Sequence, residues 1–195
     1  MVVFVFEGLP GTGKTSLVAD LSKHLGFLKV GEVIDEAGKE ISSPPKRRED
    51  QSFFFENDLR KYRIAKKLSE KGIVLMDRGY LSTIGYNLCF NNLTHQKKVL
   101  LLEKKFGAKY AEEFICVYVK ISPQLSLKRK KEYNENPLNL WSFLENLKKI
   151  SNFYDDRLLN NKKTIVIDGS TDYSELYDKT RELILNYDFS REVKL

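Results

Sequence analysis

Residues Phe4–Leu17 read FVFEGLPGTGKTSL, and this stretch decides the fold. Gly8, Gly13, Lys14 and Thr15 meet the pattern G-x-x-x-x-G-K-[ST], in which a glycine-rich loop curls around a phosphate chain. A strand-like run, VVFVF, precedes the loop and a helix-like run, TSLVADLSKHL, follows it, which is the context that the motif requires. The stretch therefore predicts a strand, a phosphate-binding loop and a helix.

The loop has the chemistry to bind a nucleoside triphosphate. Its backbone N–H groups would converge on an anion, and the next helix would add the positive end of its dipole. We expect Lys14 to reach the β- and γ-phosphates and the Thr15 hydroxyl to bind Mg²⁺. A glycine-rich turn that binds nothing is the alternative. The predicted ATP-binding residues are Gly8, Pro10, Gly11, Thr12, Gly13, Lys14, Thr15 and Ser16.

Composition and charge limit the class of protein. The chain has 195 residues, which fits a single domain, 1–195, with a substantial core. A hydrophobic content of 42% with 31% charged residues is typical of a globular protein. No apolar run approaches a membrane span and the apolar start lacks a basic flank, so we expect a cytoplasmic protein with no membrane partner. The net charge of +6 is spread along helices that also carry glutamates, so nucleic acid is not the expected partner, and a homodimer stays open.

Apolar strand-like runs alternate with helical patterns along the chain, which predicts a parallel sheet covered by helices. The predicted strands are VVFVF, KVGEVID, GIVLMD, FICVYVKI and KTIVID. The predicted helices are 14–25, about 48–71, a pair within 83–106, 123–159, and a last helix at STDYSEL, where Asp172 and Glu175 have capping-box spacing. The predicted fold class is an α/β P-loop NTPase, a three-layer sandwich with a five-stranded parallel sheet flanked by helices.

Asp77 and Arg78 follow directly after the apolar run GIVLM. In parallel sheets, ligands collect beyond the carboxyl ends of the strands. A carboxylate at such a strand end is suited to a metal ion and its waters, and the planar fork of an arginine is suited to phosphate oxygens. The pair therefore predicts a second phosphate-handling element. A surface pair that caps the next helix is the alternative.

Three acidic residues, Glu32, Asp35 and Glu36, follow the second predicted strand. Alternation along a strand favours Glu36 near its exit, toward the same crevice. A carboxylate there would be able to accept a proton from an attacking hydroxyl or to hold a substrate sugar. Solvated loop acids are the alternative.

The stretch QSFFFENDLRKYR carries further acceptor candidates at helical spacing. Gln51 would pair with the edge of a base, Phe55 or Phe54 would stack on it, and Arg60 would meet a phosphate or the base. For the aromatic residues, simple core packing is the alternative.

A basic run, Lys128–Lys131, follows the fourth strand and precedes a polar loop. Cations on a flap would close over transferring phosphates and exclude water, which predicts a small helical lid at about 125–140. A solvated helix face is the alternative.

With these residues in view, the chain resembles the P-loop nucleoside and nucleotide kinases, in particular the thymidylate kinase and deoxynucleoside kinase branch. The stretches that carry the resemblance are EGLPGTGKT, DRGYLSTIGYN, SPQLSLKRKK and VIDGSTDYSEL. The resemblance implies that Arg78 binds the acceptor or its phosphate, that Ser82 and Tyr86 line the acceptor pocket, and that Arg129 is a lid cation. Pro10 stands where thymidylate kinases usually carry an acidic residue, so the resemblance implies the reaction and leaves the acceptor open.

The predicted function is transfer of the γ-phosphoryl group from ATP to a nucleoside or a nucleoside monophosphate, with Mg²⁺ as the cofactor. The predicted catalytic residues are Lys14, Glu36, Asp77, Arg78 and Arg129. The predicted acceptor residues are Glu36, Gln51, Phe55, Arg60, Arg78, Ser82 and Tyr86, and the predicted metal ligands are Thr15 and Asp77. The alternative is a regulatory switch that hydrolyses ATP or GTP slowly, although no guanine-reading N-K-x-D tetrapeptide occurs.

Overall fold

The structure, a computed structural model, describes residues 2–41, 52–89, 104, 113–132 and 140–187. The strands are β1 (Val3–Glu7), β2 (Leu28–Val30), β3 (Val74–Asp77), β4 (Ile115–Lys120) and β5 (Thr164–Asp168). The described helices are α1 (Lys14–Leu25), α2 (Ser52–Ser69), α3 (Tyr80–Asn87), α4 (Pro123–Glu132), α5 (Leu144–Leu158) and α6 (Tyr173–Leu185), with a short 3-10 helix at Leu140–Ser142.

The described strands form one five-stranded sheet in the order β2-β3-β1-β4-β5, and every neighbouring pair is parallel. The first strand lies at the centre, with Val5 opposite Met76 of β3 and Cys116 of β4. The loop after β1 and the turn after β3 therefore leave the same edge of the sheet side by side. The predicted α/β P-loop fold is confirmed.

Side chains along β1 alternate between the two faces of the sheet, as the pleat requires. Phe4 and Phe6 pack with apolar side chains of α1 and α6 on one face. Val3 and Val5 pack with side chains of α2 on the other face. The strand is buried on both faces, which explains why it reads as a continuous apolar run.

The second strand is shorter than predicted, because it ends at Val30 and does not continue to Asp35. A side chain of α2 takes over the backbone groups that a longer strand would have paired. Asn57 accepts from the Ile34 N–H at 3.0 Å and donates to the Glu32 carbonyl at 3.0 Å. This contact joins residues more than twenty positions apart, which the local pattern does not reveal.

The helix predictions hold in part. The helix predicted at about 48–71 corresponds to α2, which is described from residue 52. A pair of helices was predicted within 83–106, and α3 covers the start of that range. Residues 90–103, 105 and 106 lie outside the described part of the chain. The long stretch 123–159, predicted to be helical, contains α4 and α5, and residues 133–139 lie outside the described ranges. The lid at about 125–140 and the single domain 1–195 stay predictions.

The predicted start of the last helix is confirmed. Asp172 is the N-cap of α6, and its carboxylate accepts from the Glu175 N–H at 2.9 Å. The Glu175 carboxylate pairs with Lys179 one turn further on, so it does not return to the cap in the reciprocal bond of a full capping box. Within the described residues, the helices include none with the length and hydropathy of a membrane span.

The glycine that opens the phosphate-binding loop is required by the packing of the sheet. Gly8 has φ +143°, and a Cβ placed there would lie 2.3 Å from the carbonyl oxygen of Val119 in β4. A backbone carbonyl of a central strand cannot move aside without breaking its ladder. The loop thus begins where the first strand is pressed against its neighbour.

We expect Gly8→Ala to lower the free energy of unfolding by about 2 kcal/mol or more, because the methyl group meets backbone and the residue keeps a positive φ. Urea denaturation measures the change. The matched control is Gly72→Ala, since a Cβ at Gly72 meets nothing within 4 Å, and we expect a change below about 0.5 kcal/mol there. Equal stabilities of the two variants would refute the steric argument.

Candidate functional site

The loop between β1 and α1 curls through three glycines in conformations that other residues rarely adopt. Gly8, Gly11 and Gly13 have φ values of +143°, +72° and +86°. Gly13 is the N-cap of α1 and has no side chain to bond the first N–H groups of that helix. Those N–H groups and the curled loop form the concave surface that suits a phosphate group.

Lys14 fills the loop with its ammonium group. The residue is 4% exposed, and Nζ donates to the Leu9 carbonyl at 2.6 Å and to Thr12 Oγ1 at 2.7 Å. Burial, and next the positive charge of Arg78, lower the pKa of Lys14 to about 7. Among the described residues no carboxylate forms an ion pair with this lysine. A phosphate group in the loop would supply the missing negative charge.

Thr15 and Asp77 meet at the mouth of the loop. The Thr15 hydroxyl donates to Asp77 Oδ2 at 2.7 Å, and Asp77 Oδ1 is buried with no hydrogen-bond partner. A hydroxyl and an orphaned carboxylate oxygen are hard oxygen ligands of the kind that Mg²⁺ takes together with phosphates and water. The described residues contain no cluster of three or more His, Cys, Asp or Glu side chains that could hold a metal ion. The predicted metal pair is therefore brought together.

Arg78 turns back over the loop. Its NH1 donates to the Gly8 carbonyl at 3.2 Å and to Ser82 Oγ at 3.1 Å, and its Nε lies 2.9 Å from Glu32 Oε1. Burial disfavours its charge, but Glu32 and other nearby groups raise the pKa of Arg78 above its ordinary value. The guanidinium carbon also lies 5.9 Å from the centre of the Trp141 ring. The arginine is thus a fixed cation between the loop and the second strand.

Glu32, and not Glu36, is the acid that lies at the site. The expectation for Glu36 depends on a strand that continues to Asp35, and β2 ends at Val30. Glu36 is exposed in the turn where Lys39 N–H bonds back to the Asp35 carboxylate. Partial burial opposes ionisation of Glu32, but Arg78 and the lysines at positions 14 and 61 hold the pKa of Glu32 below its ordinary value.

A second buried acid, Glu7, supports the turn after β3. Its Oε1 accepts from the Gly79 N–H at 2.9 Å, and its Oε2 accepts from Ser82 Oγ at 2.5 Å and from the Tyr154 hydroxyl at 3.2 Å. Burial raises the pKa of Glu7. The sequence hypothesis missed Glu7 and Tyr154, although an acid that ends an all-apolar strand is a signal for the first of them.

The structure locates the other predicted residues as follows. Ser82 is buried between Glu7 and Arg78, and the Tyr86 ring lies 5.2 Å from that of Trp141. Pro10 accepts at its carbonyl from the Ser126 hydroxyl at 2.8 Å, and Ser16 is exposed on α1.

The remaining predicted residues are Gln51, Phe55, Arg60 and Arg129. Phe55 is buried at 9% exposure, and Arg60 donates to the Ile34 carbonyl at 3.2 Å. Gln51 lies outside the described residues. Arg129, the predicted lid cation, donates from NH1 to the carbonyls of Gly11 and Gly169 at 3.1 and 2.8 Å. That arginine ties the loop to the end of β5.

Comparison with known proteins agrees with this geometry. A family model described as an AAA domain matches residues 3–137. The chain is 26% identical over 199 residues to a thymidylate kinase of Mycoplasmoides gallisepticum, covering 94% of this chain and 93% of that protein. It is 28% identical over 159 residues to a probable thymidylate kinase of Picrophilus torridus, covering 76% of this chain and 77% of that protein.

Among solved structures, the chain superposes with a TM-score of 0.71 on deoxyadenosine kinase from M. mycoides with bound dATP. The two share 16% sequence identity, over 95% of this chain and all of that one, so this likeness concerns the fold. The resemblance to the thymidylate kinase and deoxynucleoside kinase branch, inferred from the motifs, is confirmed.

Asp58 of α2 makes the stability of the fold depend on pH. It is 6% exposed, and burial raises its pKa to about 6, although Lys61 and a bond from Thr83 act in the opposite direction. The unfolded chain loses this proton near pH 4, whereas the folded chain keeps it until about pH 6. The contribution of Asp58 to stability therefore falls as the pH rises through this window.

We expect Asp58→Asn to become more stable relative to the native chain as the pH rises from 4.5 to 7.5, by about 2 kcal/mol, since one pKa unit corresponds to about 1.4 kcal/mol and part of the shift lies below pH 4.5. Denaturant unfolding of both proteins across this range measures the difference. A difference that does not change with pH would show that Asp58 titrates normally.

Proposed function

We propose, on the premise that the chain belongs to the AAA domain family, that it is an ATP-dependent phosphotransferase whose acceptor is a nucleoside. The Glu32–Arg78 ion pair beside the phosphate-binding loop is the observation that carries the proposal. Phosphoryl transfer needs positioning and charge neutralisation more than covalent chemistry by the protein, and these side chains supply both.

The donor side consists of the loop and its two neighbours. We assign the loop N–H groups and Lys14 to the phosphates of ATP, because the ammonium group is buried there without an ion-pair partner among the described residues. We assign Thr15 and Asp77 to Mg²⁺, since Asp77 keeps an orphaned oxygen. When bound, Mg²⁺ neutralises charge on the phosphate oxygens.

The acceptor side argues for a hydroxyl over a phosphate. Arg78, the cation expected to meet an acceptor phosphate, is already paired with Glu32 at 2.9 Å. A monophosphate would have to compete with this carboxylate and would be repelled by it. A neutral hydroxyl meets no such repulsion and needs a proton acceptor, which an ionised Glu32 provides.

The resulting step is balanced within the site. The hydroxyl proton passes to Glu32 as the hydroxyl oxygen forms a bond to the γ-phosphorus. The bond from that phosphorus to the bridging oxygen breaks, and ADP leaves. Arg78 lies beside the loop and Glu32, where its charge would stabilise the oxygens that gain negative charge.

The names of the relatives cover both kinds of acceptor. Thymidylate kinase names a monophosphate, and deoxyadenosine kinase names a nucleoside. The ion pair favours a nucleoside acceptor. Pro10 favours it too, because thymidylate kinases usually carry an acidic residue at that position. A role for Tyr86 beside the acceptor base follows from its ring contact with Trp141 near Arg78. Roles for Gln51, Phe55 and Arg60 stay predictions.

The first test measures the ADP that the protein forms from ATP in the presence of Mg²⁺ and one candidate acceptor at a time. The panel contains the deoxynucleosides, dTMP and other monophosphates, nicotinamide riboside, and water alone. We expect a nucleoside to stimulate release and Lys14→Met to abolish it. Stimulation by a monophosphate alone would refute the acceptor class. Slow release that no acceptor changes would favour a regulatory switch.

The second test separates the two glutamates. We expect Glu32→Gln to lower kcat by about 10²- to 10⁴-fold, the usual contribution of a general base, with little change in KM for ATP. Steady-state kinetics with the best acceptor measures both constants. A loss of this size in Glu36→Gln, with Glu32→Gln active, would instead support the residue favoured by the sequence pattern.

A further inference from the structure

A buried lysine lies beneath the turn that carries Asp77 and Arg78. Lys61 of α2 is 1% exposed, and its Nζ donates to the Asp77 carbonyl at 2.6 Å and to the Arg78 carbonyl at 2.8 Å. Lys61 belongs to the stretch QSFFFENDLRKYR, in which the sequence pattern gave it no role. A buried cation is costly unless polar groups surround it, so an apolar side chain would be the ordinary occupant of such a position.

The turn above Lys61 has an unfavourable backbone conformation. Arg78 has φ +60°, and among the described residues it is the one non-glycine residue with a positive φ. This conformation directs its side chain back to the Gly8 carbonyl and to Glu32. Without contacts that hold it, a residue of this type would return to the right-handed or extended region.

The contacts that hold the turn come from two sides. Lys61 binds two successive carbonyls from beneath. Glu7 binds the next N–H group, that of Gly79, from the central strand. Both carbonyls would lose a buried donor if the ammonium group were removed, and the turn would be free to relax.

We propose that Lys61 is a positioning residue, whose ammonium group holds the Asp77 and Arg78 carbonyls and so fixes the Arg78 guanidinium in the place that the reaction requires. The proposal rests on the proposed phosphotransferase function. It assigns to α2, a helix otherwise expected to contact the acceptor, a second task at the phosphates. Lys61 acts through Arg78 and does not touch the substrate.

The test begins with Lys61→Met, which keeps the length of the side chain and removes its charge. We expect kcat to fall by about 10- to 100-fold, the loss that a displacement of about 1 Å causes, while KM for ATP changes little because the loop is intact. Lys61→Gln retains one donor, and we expect a smaller loss in kcat. The matched control is Lys66→Met on the same helix, where an exposed lysine pairs with Glu113, and we expect no change.

A double-mutant cycle tests whether Lys61 acts through Arg78. If it does, adding Lys61→Met to Arg78→Met lowers kcat little further, because the side chain that Lys61 positions is already absent. If Lys61 only stabilises the fold, its effect on kcat is the same in both backgrounds. That second result, measured well below the melting temperature of each variant, would overturn the proposal.

Trp141 provides a readout that does not need activity. It is the chain's single tryptophan, and its ring lies 5.9 Å from the Arg78 guanidinium carbon. We expect Lys61→Met to shift its fluorescence emission in the same direction as Arg78→Met, and Lys66→Met to leave it unchanged. A native emission spectrum in a folded Lys61→Met would also overturn the proposal.

The two proposals fail in different ways. If the native chain shows no acceptor-stimulated ADP release, the proposed function fails, and the Trp141 emission alone decides whether Lys61 positions Arg78. If Lys61→Met does not fold, Lys61→Gln takes its place in the cycle and in the fluorescence comparison, with the same two deciding results.

Discussion

The left-handed turn at Arg78 is the constraint on which the site depends. Its N–H continues the ladder of the sheet by donating to the Phe6 carbonyl at 3.0 Å, so the turn begins at a fixed point beside the central strand. Its φ of +60° then reverses the side chain toward the loop. The positions of Glu32 and Ser82 relative to the loop follow from this side chain, since both contact it.

The charges of the site are balanced around this turn but not inside the loop. Glu32 neutralises Arg78 directly, whereas the Lys14 ammonium group donates to two neutral oxygens, the Leu9 carbonyl and Thr12 Oγ1. Burial of the ammonium group and the nearby arginine therefore lower the pKa of Lys14 to about 7. A cation held in this way is poorly stabilised by the protein alone and is well placed for an anionic ligand. The same burial that disfavours the charged lysine favours its contact with a phosphate group.

Local patterns accounted for the parts of the site that are contiguous in sequence. The loop, Lys14, Thr15 and the pair after β3 were predictable because each motif encodes its own backbone geometry and the strand that precedes it ends at the same edge of the sheet. Lys61 was open to prediction in a weaker sense. The apolar phase of α2 places its position among inward residues such as Tyr62 and Ala65, so a charge there was a signal.

The amino-acid sequence by itself determined the order of strands and helices, the phosphate-binding loop and the cap of the last helix, because these depend on neighbours within a few positions. Tertiary structure alone decided that β2 stops at Val30, that Glu32 rather than Glu36 meets Arg78, and that Tyr154 reaches Glu7 across 147 positions. Such contacts are set by how separate elements pack on the sheet. A buried polar group bonds to whichever partner the packing brings near it. The local hydrophobic pattern of the sequence does not predict that partner.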